Sequence, residues 1–466
     1  MNNKRQHRDK KSEVLPLGKG LGWDNIYFIG IGGIGMSALA RYFQVHNFYV
    51  SGYDKTASPI TKSLEDNGII IHFNDSVDAI SKQVFDKQKT LIVYTPAIPK
   101  EHKELNYFID NGYTIYKRSE ILGAITKNTF CFAVAGTHGK TTTSTILGHI
   151  LKEAGVNATS FLGGIAENYN SNLILGGDEI SVVEADEYDR SFLQLSPNIA
   201  CVTSIDADHL DIYGEADALE QSFIDFSNKI SDTLFVRKGI PIKGVTYGIE
   251  ENADYDAKNC TIKNGAYFFD VHTPSEIIKN IKLDLPGKHN VLNTVVALAM
   301  ANSYGVSLQT IAKALLTFKG IQRRFTYRIK TDNLVLIDDY AHHPTEINAV
   351  ADAVKELYPN QRALAVFQPH LFSRTRDFAD DFAESLTKFD ELILLDIYPA
   401  REKPIEGITS DWLLGKVNLK NKKRVLKEKL VENINASDAT VIVMLGAGNI
   451  GEMVNEVKDN LLNKVA

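Results

Sequence analysis

Cysteine is scarce in this chain. Cys131, Cys201 and Cys260 are the only three in 466 residues. They show no CxxC spacing, so neither a disulfide framework nor a cysteine-built zinc site is expected, and a reducing cytoplasm fits. No apolar run approaches the roughly 20 residues that a membrane-spanning helix needs. The opening MNNKRQHRDKKSEVLP is basic and polar, without the apolar centre of a secretory signal. Residues 1–22 are read as a solvated, flexible tail. Positive charge is not in excess: 51 Lys and Arg against 58 Asp and Glu give a net charge of −7. That leaves no basic field for nucleic acid or for an anionic membrane. Repeats and low-complexity tracts are also missing.

What is present is an ordinary globular composition, 44% hydrophobic and 23% charged. A chain of 466 residues is too long for one core, and two to four domains are expected. Strand-like and helix-like stretches alternate, the pattern of an α/β fold with mostly parallel sheets. An apolar strand at 26–29 runs into glycines and a helical stretch at 36–45, and a second strand at 48–52 leads to Asp54. A new strand at 130–135 meets another glycine loop and a helix at 141–153. A third block restarts at 334–338 and continues through RALAVFQ, ELILLDIY and ATVIVML. Three strand-rich blocks predict three domains: 23–124, 125–327 and 328–466. The outer two read as Rossmann-like and the central one as a P-loop ATPase domain.

Open α/β sheets gather ligand chemistry at the C-terminal ends of their strands, and the motifs fall there. Gly136-Thr137-His138-Gly139-Lys140-Thr141-Thr142 lies between a strand and a helix. Glycines let backbone N–H groups face an anion, and the helix N-terminus adds partial positive charge. Lys140 can reach the β- and γ-phosphates of ATP, and Thr141 can offer its hydroxyl to Mg²⁺. Gly30-Ile31-Gly32-Gly33-Ile34-Gly35, with Asp54 after the next strand, matches a dinucleotide fingerprint. It indicates a diphosphate and does not choose between NAD and a UDP-sugar.

Glu184-Ala185-Asp186-Glu187-Tyr188-Asp189 closes a strand, with Glu184 best placed to serve a hard magnesium ion. Asp206-Ala207-Asp208-His209-Leu210-Asp211 sets a histidine among acids, suited to a metal or a proton. Asn290 and Asn293, three apart after Lys288-His289, share one face of a helix and can read a base edge. Arg323-Arg324-Phe325 offers a guanidinium to a transferring phosphoryl group. Asp338-Asp339-Tyr340-Ala341-His342-His343-Pro344 and Phe367-Gln368-Pro369-His370-Leu371-Phe372-Ser373-Arg374-Thr375-Arg376 each follow a strand. Paired histidines and paired arginines suit a small zwitterion: an arginine clamps a carboxylate and a neutral histidine takes a proton from an amine.

In this order GTHGKTT, EADEYD, DADHLDIYG, GKHNVLN, RRF, DDYAHHPTE and FQPHLFSRTR resemble the Mur ligase family, from about residue 23 to the C-terminus. The resemblance implies an ATP-dependent, peptide-bond-forming ligase that joins L-alanine to the lactyl carboxylate of UDP-N-acetylmuramate through an acyl phosphate. It implies a UDP-sugar on Gly30, Gly32, Gly33, Gly35 and Asp54. ATP would lie on Gly136 to Thr142, His289, Asn290, Asn293, Arg324 and Asp339. Magnesium would lie on Thr141, Glu184 and His209, and alanine on Tyr340, His343, His370 and Arg374. Lys140, His209, Arg324 and His343 would carry the chemistry. Neither nucleic acid nor a membrane is an expected partner, and the protein would act as a monomer or homodimer. Two positions depart from the family pattern, Leu371 in place of Arg and Ala341 in place of Gly.

Three other readings remain open. One is a ligase that attaches a recycled murein tripeptide to the same sugar. Another is an NAD-dependent oxidoreductase, which leaves GTHGKTT unexplained. The third is a P-loop protein that binds nucleotide without ligation.

Overall fold

The computed structural model describes residues 22–206, 216–400 and 402–465. They pack into two compact units. The first runs to Gly164 and takes in Ser171–Val245; the second holds Ile165–Asn170 and the chain from Thr246 onward.

The first unit begins with strands β1 (Asn25–Ile29), β2 (Tyr49–Tyr53), β3 (Ile70–His72), β4 (Thr90–Tyr94) and β5 (Thr114–Lys117). They form an all-parallel sheet of order β3-β2-β1-β4-β5. All five residues of β1 are buried. Ile26 and Phe28 enter the core shared with helix Ile34–Val45, while Tyr27 and Ile29 enter a second core with Phe108. A strand covered on both faces reads as a continuous apolar run, which is why the sequence exposes it so plainly.

Strands β6 (Phe130–Ala135), β7 (Ala158–Ala166), β8 (Ser171–Ile174), β9 (Ile180–Ala185), β10 (Ile199–Val202) and β11 (Thr233–Arg237) follow in the order β11-β10-β6-β9-β7-β8. The central strand β6 pairs in parallel with β9 and with β10. Its last residue, Ala135, stands opposite Ala185 on one side and Val202 on the other. Three segments far apart in sequence therefore leave the sheet side by side: GTHGKTT, DEYD and TSID.

The second unit holds β12 (Val245–Ile249), β13 (Tyr255–Lys263), β14 (Ala266–His272) and β15 (Ile277–Leu283) in the order β15-β14-β13-β12. β13, β14 and β15 are antiparallel, a meander not anticipated from the sequence. Asn264 and Gly265 join β13 to β14, both with positive φ (52° and 74°). Asn-Gly is the preferred pair for a tight hairpin turn, so the signal was present in the chain.

The second unit also holds β16 (Thr326–Lys330), β17 (Val335–Asp339), β18 (Ala363–Phe367), β19 (Glu391–Leu394), β20 (Lys422–Arg424) and β21 (Val441–Leu445). Their order is β16-β17-β21-β18-β19-β20, parallel except for β16 against β17. Separate apolar cores cover its two faces.

Candidate active site

The first glycine loop turns off the end of β1. Gly30 has φ +87°, a left-handed conformation that suits glycine. Helix Ile34–Val45 starts from Gly33 with no side-chain cap, which leaves its first N–H groups free for an anion. Asp54 accepts a hydrogen bond from the Gly32 N–H at 2.7 Å, so the acid sits at the loop itself. At Gly35 the Arg118 guanidinium packs close, and a Cβ there would lie 2.5 Å from its Nη1.

The second glycine loop is tighter. Gly136, with φ +128°, presses on Thr203 and Ser204, and Gly139, with φ +82°, opens helix Lys140–Glu153. The TSID segment braces the loop: Ser204 Oγ accepts from the His138 N–H at 2.8 Å, and the Asp206 N–H donates to Thr137 Oγ at 3.1 Å. His138 Nε2 lies 3.3 Å from Asp206. His209, Asp208 and Asp211 lie outside the described residues.

The acids after β9 divide their work. Glu184 accepts from the Gly163 N–H at 2.7 Å and from Ser144 Oγ at 3.2 Å. Its pKa is raised by burial, while the Gly163 N–H, Lys140 and the Thr141 hydroxyl hold it down. Thr141 and Glu184 thus meet. Glu187, fully buried, grips the Lys140 ammonium at 2.8 and 2.9 Å, and Lys140 also donates to the Gly136 carbonyl at 2.7 Å. Burial opposes that charge, but Glu187 first, then Asp186 and Glu184, raise the lysine pKa. Asp186 pairs with Arg118 at 3.3 Å.

The donor set fits magnesium. Glu184 and Thr141 offer hard oxygen, and a Cβ at Gly163 would stand 2.4 Å from the Glu184 carboxylate, so this glycine is a cradle for the acid. Among the described residues no group of three His, Cys, Asp or Glu side chains forms a metal cage by itself. A magnesium ion that takes much of its coordination from phosphates needs none.

The second unit gathers the other expected residues. Asn290 and Asn293 lie buried on helix Lys288–Ser303 and are bonded to each other at 3.3 Å. His289 is neutral: burial, with Arg324 adding to it, lowers its pKa to about 4. Arg324 lies 3.5 Å from Glu346 and over the Tyr340 ring. Asp339 is raised to about 6 by burial, against the pull of Arg324. Its two oxygens accept from the Phe325 and Ala341 N–H groups at 2.6 and 2.7 Å. This acid pins the RRF segment to the end of β17.

His343 caps helix Pro344–Leu357 and packs on Phe378. Tyr340, His342, His370 and Tyr398 form a row of rings, each within 6 Å of the next. Arg374 is buried. Leu371, the departure from the family pattern, adopts φ +70° where the chain enters helix Phe372–Asp377.

Four residues were missed. Glu187 and Asp186 stood inside a motif from which only Glu184 was chosen, and Arg118 carried no motif at all. Glu346 organises Arg324 and the His342 and His343 N–H groups; its signal was the His-Pro-Thr-Glu capping pattern.

A P-loop whose lysine faces strand-end acids, beside a second glycine loop, suits an enzyme that uses ATP on a second phosphate-bearing ligand. The chain belongs to the Mur ligase family. Family models match in three parts: "Mur ligase family, catalytic domain" over 25–129, "Mur ligase middle domain" over 134–301, and "Mur ligase, glutamate ligase domain" over 323–448.

The UDP-N-acetylmuramate–L-alanine ligase of Flavobacterium psychrophilum is 61% identical over 442 residues, covering 94% of this chain and 98% of that protein. Its counterpart in Cytophaga hutchinsonii is 46% identical over 447 residues, covering 93% and 96%. The crystal structure of UDP-N-acetylmuramate–alanine ligase from Thermotoga maritima aligns with a TM-score of 0.82 at 28% identity, covering 94% of this chain and 99% of that one.

Proposed function

We propose that this chain joins L-alanine to the lactyl carboxylate of UDP-N-acetylmuramate, driven by ATP, in cytoplasmic peptidoglycan precursor synthesis. One observation carries the reading. Gly35 of the first glycine loop and Glu184 beside the P-loop line the same cavity, of about 150 Å³. A sugar nucleotide held by the loop can extend its carboxylate towards the γ-phosphate. The relatives named for alanine support a free amino acid as acceptor, rather than a tripeptide. The domain limits proposed are 23–124, 125–327 and 328–466, working as monomer or homodimer.

A carboxylate is a poor electrophile, because oxide leaves it badly. Attack of a carboxylate oxygen on the γ-phosphorus forms a C–O–P bond and releases ADP. The acyl phosphate is then open to an amine, which forms the amide and expels inorganic phosphate. Lys140 neutralises the β- and γ-phosphate charge, and Arg324 offers a second cation to the transferring phosphoryl group. Thr141, Glu184 and His209 would hold magnesium, which would supply further neutralisation of phosphate oxygens. Asn290, Asn293 and His289 hold the adenine; as a neutral ring, His289 adds no charge there. Tyr340, His370 and Arg374 hold alanine, and His343 or His209 takes the ammonium proton. Exclusion of water protects the acyl phosphate from hydrolysis.

The test is phosphate release from ATP by the purified chain with Mg²⁺ and UDP-N-acetylmuramate, with and without L-alanine. Release that needs both substrates, with a product heavier by one alanyl residue, is expected. Release with murein tripeptide but not with alanine would overturn the assignment of the acceptor.

A further inference from the structure

We infer that Arg118 is a positioning residue for the sugar nucleotide, binding its diphosphate at the N-terminus of helix Ile34–Val45 once that ligand draws it from Asp186. The inference rests on the proposed substrate.

The argument starts from where this cation stands. Arg118 is the first residue of helix Arg118–Lys127. A positive side chain at a helix N-terminus works against the helix dipole, so it does not serve its own helix. Helix Ile34–Val45 also gains nothing at its N-terminus from a guanidinium packed on Gly35. Two unfavourable placements meet at the point where an anion is expected. An anion there would be attracted by both helix ends and by the guanidinium.

The present partner is replaceable. The Arg118–Asp186 pair is 3.3 Å long, and its side chains are 24% and 38% exposed. Water reaches both side chains, which weakens their attraction. A diphosphate offers a guanidinium two-pronged, charge-assisted bonds, which are stronger. Arg118, Gly35, Asp186 and Glu184 all line the same cavity, so the exchange needs only a side-chain rotation. Gly35 leaves the space into which the guanidinium now folds.

The diphosphate is favoured over the lactyl carboxylate. The guanidinium lies against Gly35, in the first turn of helix Ile34–Val45, whereas the carboxylate's destination is the γ-phosphate.

The experiment measures dissociation constants of UDP and UDP-N-acetylmuramate for the full chain by titration calorimetry. The variants are Arg118→Met, Arg118→Lys and Asp186→Asn, each first checked for its unfolding temperature. Arg118→Met is expected to weaken both ligands at least tenfold, with Arg118→Lys recovering part of the loss. Asp186→Asn, which frees the guanidinium, is expected to bind both at least as tightly as the unsubstituted protein. A pair that merely braces the fold would make Arg118→Met and Asp186→Asn weaken binding alike, and that result overturns the inference. Loss confined to UDP-N-acetylmuramate, with UDP unaffected, overturns the assignment to the diphosphate. If the unsubstituted chain binds neither ligand, the proposed substrate fails; if it binds both and Arg118→Met binds equally, only the role of Arg118 fails.

Discussion

Glu187 holds Lys140. Both carboxylate oxygens lie within 2.9 Å of the ammonium, and the acid is fully buried. The lysine expected to meet ATP phosphates is thus folded onto its own loop by an acid from the neighbouring strand end. ATP must exchange one anionic partner for another, so the lysine stays charged throughout.

Glu187→Gln should therefore destabilise the nucleotide-free protein by about 3–5 kcal/mol, because one member of a buried pair is removed. The loss should shrink when Mg²⁺ and ADP are bound, since phosphate then replaces the carboxylate. Unfolding temperatures with and without nucleotide check this. An equal loss in both conditions would contradict the exchange.

Gly163→Ala tests the magnesium cradle. A methyl group there meets the Glu184 carboxylate at 2.4 Å. The acid must turn away from Ser144 and Thr141, while the backbone pairing of β7 is left intact. The Mg²⁺ concentration for half-maximal phosphate release should rise at least tenfold with little change in unfolding temperature. An unchanged Mg²⁺ requirement would remove Glu184 from the metal site.

Away from the active site, Glu104 is buried against Tyr27, whose hydroxyl donates to it at 2.7 Å. Burial first raises its pKa from 4.5 to about 7, while Tyr27 and the Ser76 N–H pull it down. A carboxyl whose folded pKa is raised is better held protonated. Its cost is absent below pH 4.5, grows as pH rises and is complete above about 7. A shift of this size corresponds to roughly 3 kcal/mol. The stability difference between Glu104→Gln and the unsubstituted protein should shift in favour of the variant across that window. Denaturant titrations at pH 5 and pH 8 measure it; a difference independent of pH would show that Glu104 ionises freely.

Much of the fold could be read from the chain because its parallel strands are covered on both faces. β1 and β6 each stand as an apolar run before a glycine loop, and residues of that kind announce themselves. The β13–β15 meander was less visible. β15 has a largely exposed face, so its apolar residues do not form a run. The glycines and Lys140 were legible because phosphate binding imposes a local spacing. Glu187 and Arg118 were not, because each acts through a partner brought near only by the fold; Glu346 carried a local capping signal, but its pairing with Arg324 did not show. Lys140 and Glu187 are 47 positions apart, and Arg118 and Asp186 are 68 apart. Asp339 was legible as a strand-end acid, but its bonds to the Phe325 and Ala341 N–H groups appear only in three dimensions.

The central claim is that the sugar's carboxylate is itself phosphorylated, and isotope transfer tests it most directly. UDP-N-acetylmuramate labelled with ¹⁸O in the lactyl carboxylate is incubated with the chain, ATP, Mg²⁺ and L-alanine, and the released phosphate is examined by mass spectrometry. Ligation through an acyl phosphate predicts one labelled oxygen in each phosphate released. Alanine-dependent release of phosphate carrying no label would contradict it.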